Sequence, residues 1–352
     1  MLRKEISIGT AKFEVVPELD PDGHINGKCI HDMCALLDQH GFVIIPGLLS
    51  VAEAGAGLRD VQAVLDDPSR ERAAFASEID IKYRRRDFCP LPVNGPLLNL
   101  VATLCQRVQG VLAEYCGTRC SVLELSTLTS YRGCSHQYLH RDPDGVIGIL
   151  VALDDVTLEQ GGTVFAAGTH KYCGGEYRFE GRVHKYMEAF RNFWNYRIMR
   201  YNLAELKRMR KEGDAQISGQ EYRDRVYSRH ISDNHQPNLY QFMFGENEVF
   251  GRSNLNLRSL WRIFRYRKRA EAEFPIVQAA PAKGTVIIYR SDIFHAGPDN
   301  QSDNPRYVLS LNLARDVAHP ELWQIGYAPH SSLIDRPVSI GDLLNVSAAP
   351  ID

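Results

Sequence analysis

The sequence predicts a barrel or sandwich of antiparallel strands with helices packed on its outside. Three observations carry this. Helical periodicity is concentrated in the first third of the chain, between residues 29 and 112. Short apolar runs bounded by turn residues follow, at 122–131, 146–153, 163–167, 284–289 and 306–313. Those runs do not alternate with helices, as the βαβ units of a parallel sheet would require.

The elements follow in order. Residues 29–40 read as a helix, with Ile30, Met33, Cys34, Leu36 and Leu37 grouped on one side. Gly41 ends it, and Phe42-Val43-Ile44-Ile45 reads as a buried strand turned by Pro46-Gly47. Ser50 and Glu53 form an S-x-x-E capping box that opens a helix near Val51. After Pro96 an apolar stripe runs Leu97, Leu98, Val101, Leu104, Cys105, Val108, Val111, Leu112, at the spacings of one core-facing helix. Arg84-Arg85-Arg86 reads as a solvated run. Among the strands, 146–153 lies between Gly145 and Asp154-Asp155, and 163–167 follows a Gly161-Gly162 turn.

The 352 residues, 44% hydrophobic and 24% charged, suffice for a substantial core, and we expect one catalytic domain over 1–352. A net charge of −2 supplies no field toward nucleic acid or a membrane surface, so neither is an expected partner. No run of about 18 apolar residues exists, and the N-terminus has no apolar signal region. The eight cysteines contain no C-x-x-C pair and read as reduced, mostly buried thiols. A cytoplasmic location is therefore expected. The sequence does not set an oligomeric state.

Residues 172–275 have little strand character and read as a mostly helical insertion, or lid, on the barrel. Basic residues (Arg182, Lys185, Arg191, Arg197, Arg200, Lys207, Arg208, Arg210, Lys211) alternate there with Phe190, Phe193, Trp194, Tyr196 and Tyr201. A second basic cluster runs from Arg258 to Arg269. Such cations could recognise a carboxylate or phosphate on an acidic or amino-acid-derived substrate. The plainer reading is a solvated helix face over packed aromatics.

The sharpest local signal is His140-Arg141-Asp142. On a strand, residues two apart share a face, so an H-x-D pair presents an imidazole and a carboxylate together. These are two of the three ligands of a non-haem iron(II) facial triad. His295, beyond the 284–289 strand, is the third candidate. Two histidines and one carboxylate leave positions for a bidentate keto acid and dioxygen, and a donor set without thiolate suits iron. Arg306 lies eleven residues further on. Alternation places Arg306, Val308, Ser310 and Asn312 on one strand face, and a buried arginine there needs an anionic partner. The distal carboxylate of 2-oxoglutarate matches its fork. Each of these residues alone has a plainer reading as a packed, loop or strand-end side chain.

Four segments together resemble the phytanoyl-CoA dioxygenase family of iron(II)- and 2-oxoglutarate-dependent oxygenases. They are residues 41–49, Tyr138-Leu139-His140-Arg141-Asp142, the Gly161-Gly162-Thr163…Gly168-Thr169-His170-Lys171 stretch, and His295 with Arg306. The resemblance spans about 30–171 and 275–315. It implies a double-stranded β-helix of the jelly-roll or cupin type, with His140, Asp142 and His295 as iron ligands and Arg306 holding 2-oxoglutarate. Ala167 replaces the family's proline before Gly168, and His170 reads as structural. Asp142 stands where related halogenases carry a small residue, which argues against chloride at iron. The longer 172–275 stretch keeps any family substrate from being carried over.

The reaction implied is oxidation of an unactivated C–H bond of a small-molecule metabolite, with iron(II), 2-oxoglutarate and O2 consumed to give succinate and CO2. Hydroxylation leads, with ring closure or desaturation as variants, in a biosynthetic setting. Two other readings stay open: a metal-free, non-catalytic cupin-like binding module, and a zinc hydrolase on the same triad. The second needs a general base, and His136 is the one nearby histidine.

Overall fold

The computed structural model describes residues 9–21, 23–71, 79–117, 120–143, 145–174, 178–179, 184–212, 217–227, 261, 265, 272–314 and 327–346. Helix α1 (Gly27–His40) opens where the Asn26 side chain accepts the Cys29 N–H and ends at Gly41, whose φ of 84° is left-handed. Strand β1 (Phe42–Ile45) is buried throughout. Helix α2 (Val51–Asp66) begins on the expected capping box: Ser50 Oγ accepts the Glu53 N–H at 3.1 Å, and the Glu53 carboxylate accepts the Ser50 N–H at 2.7 Å. Helix α3 (Ile79–Lys82) and strand β2 (Arg86–Pro90) follow. The 97–112 stripe, expected as one helix, is divided between α4 (Gly95–Arg107) and α5 (Gln109–Tyr115), which meet at Val108. Gly110 then lies so close to α1 that a Cβ would stand 2.4 Å from Ile30 Cδ1.

Strands β3 (Ser121–Ser130), β4 (Val146–Ala152) and β5 (Val164–Ala166) match the expected runs. After them come the short pair β6 (Cys173–Gly174) and β7 (Arg178–Phe179), then helices α6 (His184–Glu212) and α7 (Gly219–Tyr227). Strands β8 (Ile276–Gln278), β9 (Val286–Arg290), β10 (His295–Ala296) and β11 (Arg306–Ala314) complete the sheets. Helices α8 (Ser331–Asp335) and α9 (Ile340–Leu344) close the described chain.

A six-stranded antiparallel sheet, in the order β1-β9-β4-β11-β3-β2, faces a three-stranded one, β10-β5-β8. This is the double-stranded β-helix. Strand alternation divides the large sheet into two faces. The row Val43, Ile288, Ile149, Leu311 packs outward against Met33 and Leu37 of α1, Val61 of α2, and Leu100, Val101 and Leu104 of α4. The adjacent row, Ile44, Ile287 and Leu150, points inward to Phe165 and Val277 of the small sheet. Burying one such aliphatic side chain contributes about 1.5–3 kcal/mol, so the helix layer fixes the outward face and leaves the inner one for chemistry.

In the arginine run at 84–86, Arg84 is exposed as expected, and the other two depart from expectation. Arg86 begins β2 and is 1% exposed, and Arg85 pairs with Glu221 of α7. Asp80, six residues before Arg86, and Glu221, far along the chain, neutralise these cations; the first is a neighbour in sequence, the second is brought in only by the fold. The seven cysteines whose side chains are described are free thiols, six of them buried. No helix among the described residues is long and apolar enough to cross a membrane.

Candidate active site

The segment 136–142 runs in extended form beside β10. The His140 N–H donates to the His295 carbonyl at 3.0 Å, and the His295 N–H returns the bond to the His140 carbonyl at 2.8 Å. The Asp142 N–H donates to Ser291 O at 2.9 Å. This backbone register brings the three residues together. The two imidazole rings lie 4.5 Å apart, His295 Nε2 stands 3.5 Å from Asp142 Oδ2, and one ligand atom from each residue falls within 4.8 Å of the others.

The backbone also fixes the tautomers. His140 Nδ1 is 2.8 Å from Tyr138 O, and His295 Nδ1 is 3.1 Å from Ile293 O. A carbonyl only accepts, so Nδ1 carries a proton in each ring and Nε2 is the nitrogen left to ligate. Burial, reinforced by the neighbouring His295, pushes His140 down to about 4, so its ring is neutral and ready to ligate at ordinary pH. Two imidazoles and a carboxylate, with no thiolate, fit an iron(II) facial triad. Asp142 keeps 24% of its side chain exposed, which leaves the triad open on one side.

Arg306 begins β11, opposite Ser130 of β3, and is 2% exposed. It stands on the inner face with Val308, Ser310 and Asn312, as alternation required. Its Nη1 donates to Gln160 O at 3.0 Å and its Nη2 to Ser130 Oγ at 3.0 Å and Pro298 O at 3.4 Å. Gly161, at φ 76°, makes room: a Cβ there would lie 2.4 Å from Asp299 O and 3.2 Å from Arg306 Nη1. This accounts for one glycine of the Gly161-Gly162 turn as a requirement of the arginine's seat.

Beside Arg306 runs a buried ionic network. Arg86 Nε lies 3.4 Å from the same Ser130 Oγ, and Arg86 Nη1 lies 3.8 Å from Asp80. Asp80 pairs with Arg225 of α7 at 2.8 Å, and Arg225 with Glu221 at 2.9 Å. The Ser135 N–H donates to Asp80 at 2.8 Å, which ties the network to the loop before His136.

Two inner-face residues near the triad were not singled out from the sequence. The Tyr289 ring lies 5.2 Å from His295 and 5.7 Å from Phe165, crossing the β4–β9 pair over Gly148. Glu124 of β3 is 2% exposed. It accepts from Ser126 Oγ at 2.8 Å, Ala328 N at 2.6 Å and Asn312 Nδ2 at 3.3 Å. Burial pushes its carboxyl up to about 7, those donors oppose the shift, and the Asp142 charge adds to it. Both carried a signal. Glu124 is the one charged residue in the 122–131 run, and Tyr289 shares the inner-face parity of Ile287. His170 does not join the triad; its Nε2 lies 3.0 Å from Asp38 O beneath Gly41, a packing role. His136, 2% exposed, turns Nδ1 to Gln137 O at 2.6 Å.

Of the basic residues at 172–275, Arg197 lies over Phe193 and Trp194, Arg200 over Tyr196 and Arg210 over Tyr222, while Arg208 pairs with Glu205. Arg182, Arg258, Arg262 and 267–269 lie outside the described residues.

The family profile described as Phytanoyl-CoA dioxygenase (PhyH) matches residues 134–308, which include all four candidate residues. No curated protein matches the sequence. Among solved structures, the non-heme alpha ketoglutarate dependent epimerase SnoN from nogalamycin biosynthesis is 15% identical, with a TM-score of 0.49 over 87% of this chain and 94% of that one. HygX from Streptomyces hygroscopicus, solved with nickel and 2-oxoglutarate, is 14% identical, with a TM-score of 0.44 over 86% and 98%. EctD from S. alaskensis is 14% identical, with a TM-score of 0.45 over 85% and 82%.

Proposed function

The chain belongs to the phytanoyl-CoA dioxygenase family of iron(II)- and 2-oxoglutarate-dependent oxygenases, and from that premise we propose that it hydroxylates an unactivated C–H bond of a small-molecule metabolite. In this reading His140, Asp142 and His295 hold iron, and Arg306 binds the distal carboxylate of 2-oxoglutarate. The observation that carries it is the convergence of one nitrogen from each of two imidazoles and a carboxylate oxygen within 4.8 Å, in the same barrel interior as a buried arginine. Bound iron, with 2-oxoglutarate and O2, supplies the oxidising power, and succinate and CO2 leave.

The residues of the chain position and exclude. The Tyr138 and Ile293 carbonyls hold both imidazoles with Nε2 facing the shared centre. Gln160 O and Ser130 Oγ hold the Arg306 fork, so the co-substrate meets a preorganised cation. Phe165 and Tyr289, both buried, keep water from one side of His295. Ring closure or desaturation would use the same site with the substrate carbon held differently. We place 172–275 as a helical insertion that walls the substrate side. Arg197, Arg200, Arg208 and Arg210 of α6 sit against rings or a carboxylate and Arg265 lies over Trp261, so the acidic substrate suggested by these cations rests on the others.

The test is an anaerobic titration of the full chain with iron(II) and 2-oxoglutarate, following the visible metal-to-ligand charge-transfer band. The expected band disappears in His140→Ala and His295→Ala and weakens in Arg306→Ala. Succinate release then serves to screen substrates. If the native chain binds no iron and shows no band, the oxygenase reading fails, and a binding module or a zinc site takes its place.

A further inference from the structure

The face of α6 turned to the site is apolar: Phe190, Phe193, Trp194, Ile198 and Met199 pack on Tyr138, Leu139 and Phe294. Two asparagines interrupt it, Asn195 and Asn202, seven residues and so about two helical turns apart. Asn195 is 0% exposed. Its Oδ1 accepts the Leu139 N–H at 2.8 Å, and its Nδ2 donates to the Leu139 carbonyl at 3.3 Å. Asn202 treats His136 in the same way: Oδ1 accepts the His136 N–H at 3.0 Å, and Nδ2 donates to the His136 carbonyl at 2.8 Å.

A primary amide offers the same donor and acceptor as a peptide group. Here each amide spans the N–H and C=O of one residue, as a neighbouring strand does in a hydrogen-bonded pair. On the side of β10, the segment is bonded through Gln137 N to Gly297 O at 2.9 Å and through the reciprocal His140–His295 bonds. The stretch that delivers His140 therefore has a strand on one edge and two helix side chains in place of a strand on the other. Tyr138, whose carbonyl orients the His140 ring, lies between the two clamped residues.

We propose that Asn195 and Asn202 are positioning residues for the iron site: α6 acts as a surrogate strand that sets the depth and register of His140. The proposal rests on His140 being an iron ligand. It also gives α6 a role in the metal centre in addition to any contact with substrate.

The test uses full-length Asn195→Leu, Asn202→Leu and the double variant, with Ile198→Ala as control. Ile198 lies on the same helix face and makes no bond to the segment. Amide hydrogen exchange of the metal-free protein is read at positions 136 and 139, and iron(II) affinity is taken from the anaerobic titration. The expected result is faster exchange at those amides and iron(II) binding about 10- to 100-fold weaker, the scale of residues that stand behind a ligand. Ile198→Ala, at a comparable loss of thermal stability, should leave iron affinity near native. Asn202→Asp, which keeps the acceptor for the His136 N–H at a half-buried position, should fall between native and Asn202→Leu. Native iron affinity in the leucine variants, or an equal loss in Ile198→Ala, overturns the clamp. A native protein that binds no iron removes the ligand role itself, and that outcome is visible before any variant is made.

Discussion

Gly148→Ala is a one-carbon change whose effect can be worked out from the geometry. Gly148 pairs with Tyr289 across β4 and β9. A Cβ on residue 148 would lie 2.2 Å from Tyr289 Cε1, 2.3 Å from Cζ and 2.7 Å from Oη. Carbon atoms prefer a separation of about 3.5–4.0 Å, so the ring must move by more than ~1 Å. It is 4% exposed and flanked by Phe165 at 5.7 Å and His295 at 5.2 Å. Overpacking of this kind costs about 1–3 kcal/mol. Replacing glycine returns about 0.4–1 kcal/mol through the unfolded chain, so destabilisation wins. The displaced ring presses on His295, and iron(II) binding should weaken by about tenfold or more, as for other residues that stand behind a metal ligand. Urea unfolding and the iron titration read the two effects. Tyr289→Leu in the Gly148→Ala background should recover much of both, with a coupling of about 0.5–3 kcal/mol. Native stability and iron affinity in Gly148→Ala, or strict additivity in the pair, would refute the placement of Tyr289 against His295.

Three further outcomes are expected. Arg306→Lys keeps the charge but loses the fork; losing one charge-assisted bond of about 1.5–3 kcal/mol should weaken 2-oxoglutarate binding about 10- to 150-fold with iron(II) binding nearly unchanged, as read from the charge-transfer band. Glu124 is raised from 4.5 to about 7 by burial, so its contribution to stability is fully present below 4.5 and is lost as pH rises through 7. Chemical unfolding at pH 5 and pH 8 should therefore show native stability falling relative to Glu124→Gln by about 2–3 kcal/mol, and an unchanged difference would contradict the raised carboxyl. Ser50→Ala should cost about 1 kcal/mol in thermal or urea unfolding, through loss of the α2 capping box, without affecting iron binding.

Much of this architecture is legible in the sequence because it follows from local rules. The alternation in 306–313 is enough to turn Arg306 inward, and the S-x-x-E box and Gly41 set the ends of α2 and α1. The H-x-D spacing anticipates that His140 and Asp142 share a side. Pairing across the chain is a different matter. Arg86 reads as solvated because the network that buries it, in which Asp80 six residues away is held by Arg225 and Arg225 by Glu221, is completed only by the fold. Strand β8 is three residues long, too short for alternation to declare itself. Asn195 and Asn202 carry a faint signal, polar residues two turns apart on an apolar helix stripe. Their partners become visible only where α6 lies along the ligand segment.

The buried ionic network bears on how this protein can be cut and rebuilt. Asp80 and Arg86 are 0% exposed at the side chain, and Arg225, which pairs with Asp80, belongs to α7. Excising 172–275 to obtain a minimal barrel would remove Arg225 and Glu221 together, leaving Asp80 with a more distant arginine in a dry interior. Asp80 also holds the loop at Ser135 that leads to His136, so the wound would open at the root of the proposed metal site. Barrel and α7 thus form one unit for engineering. A chimera that exchanges α7 must carry the residues at 80 and 86 with it.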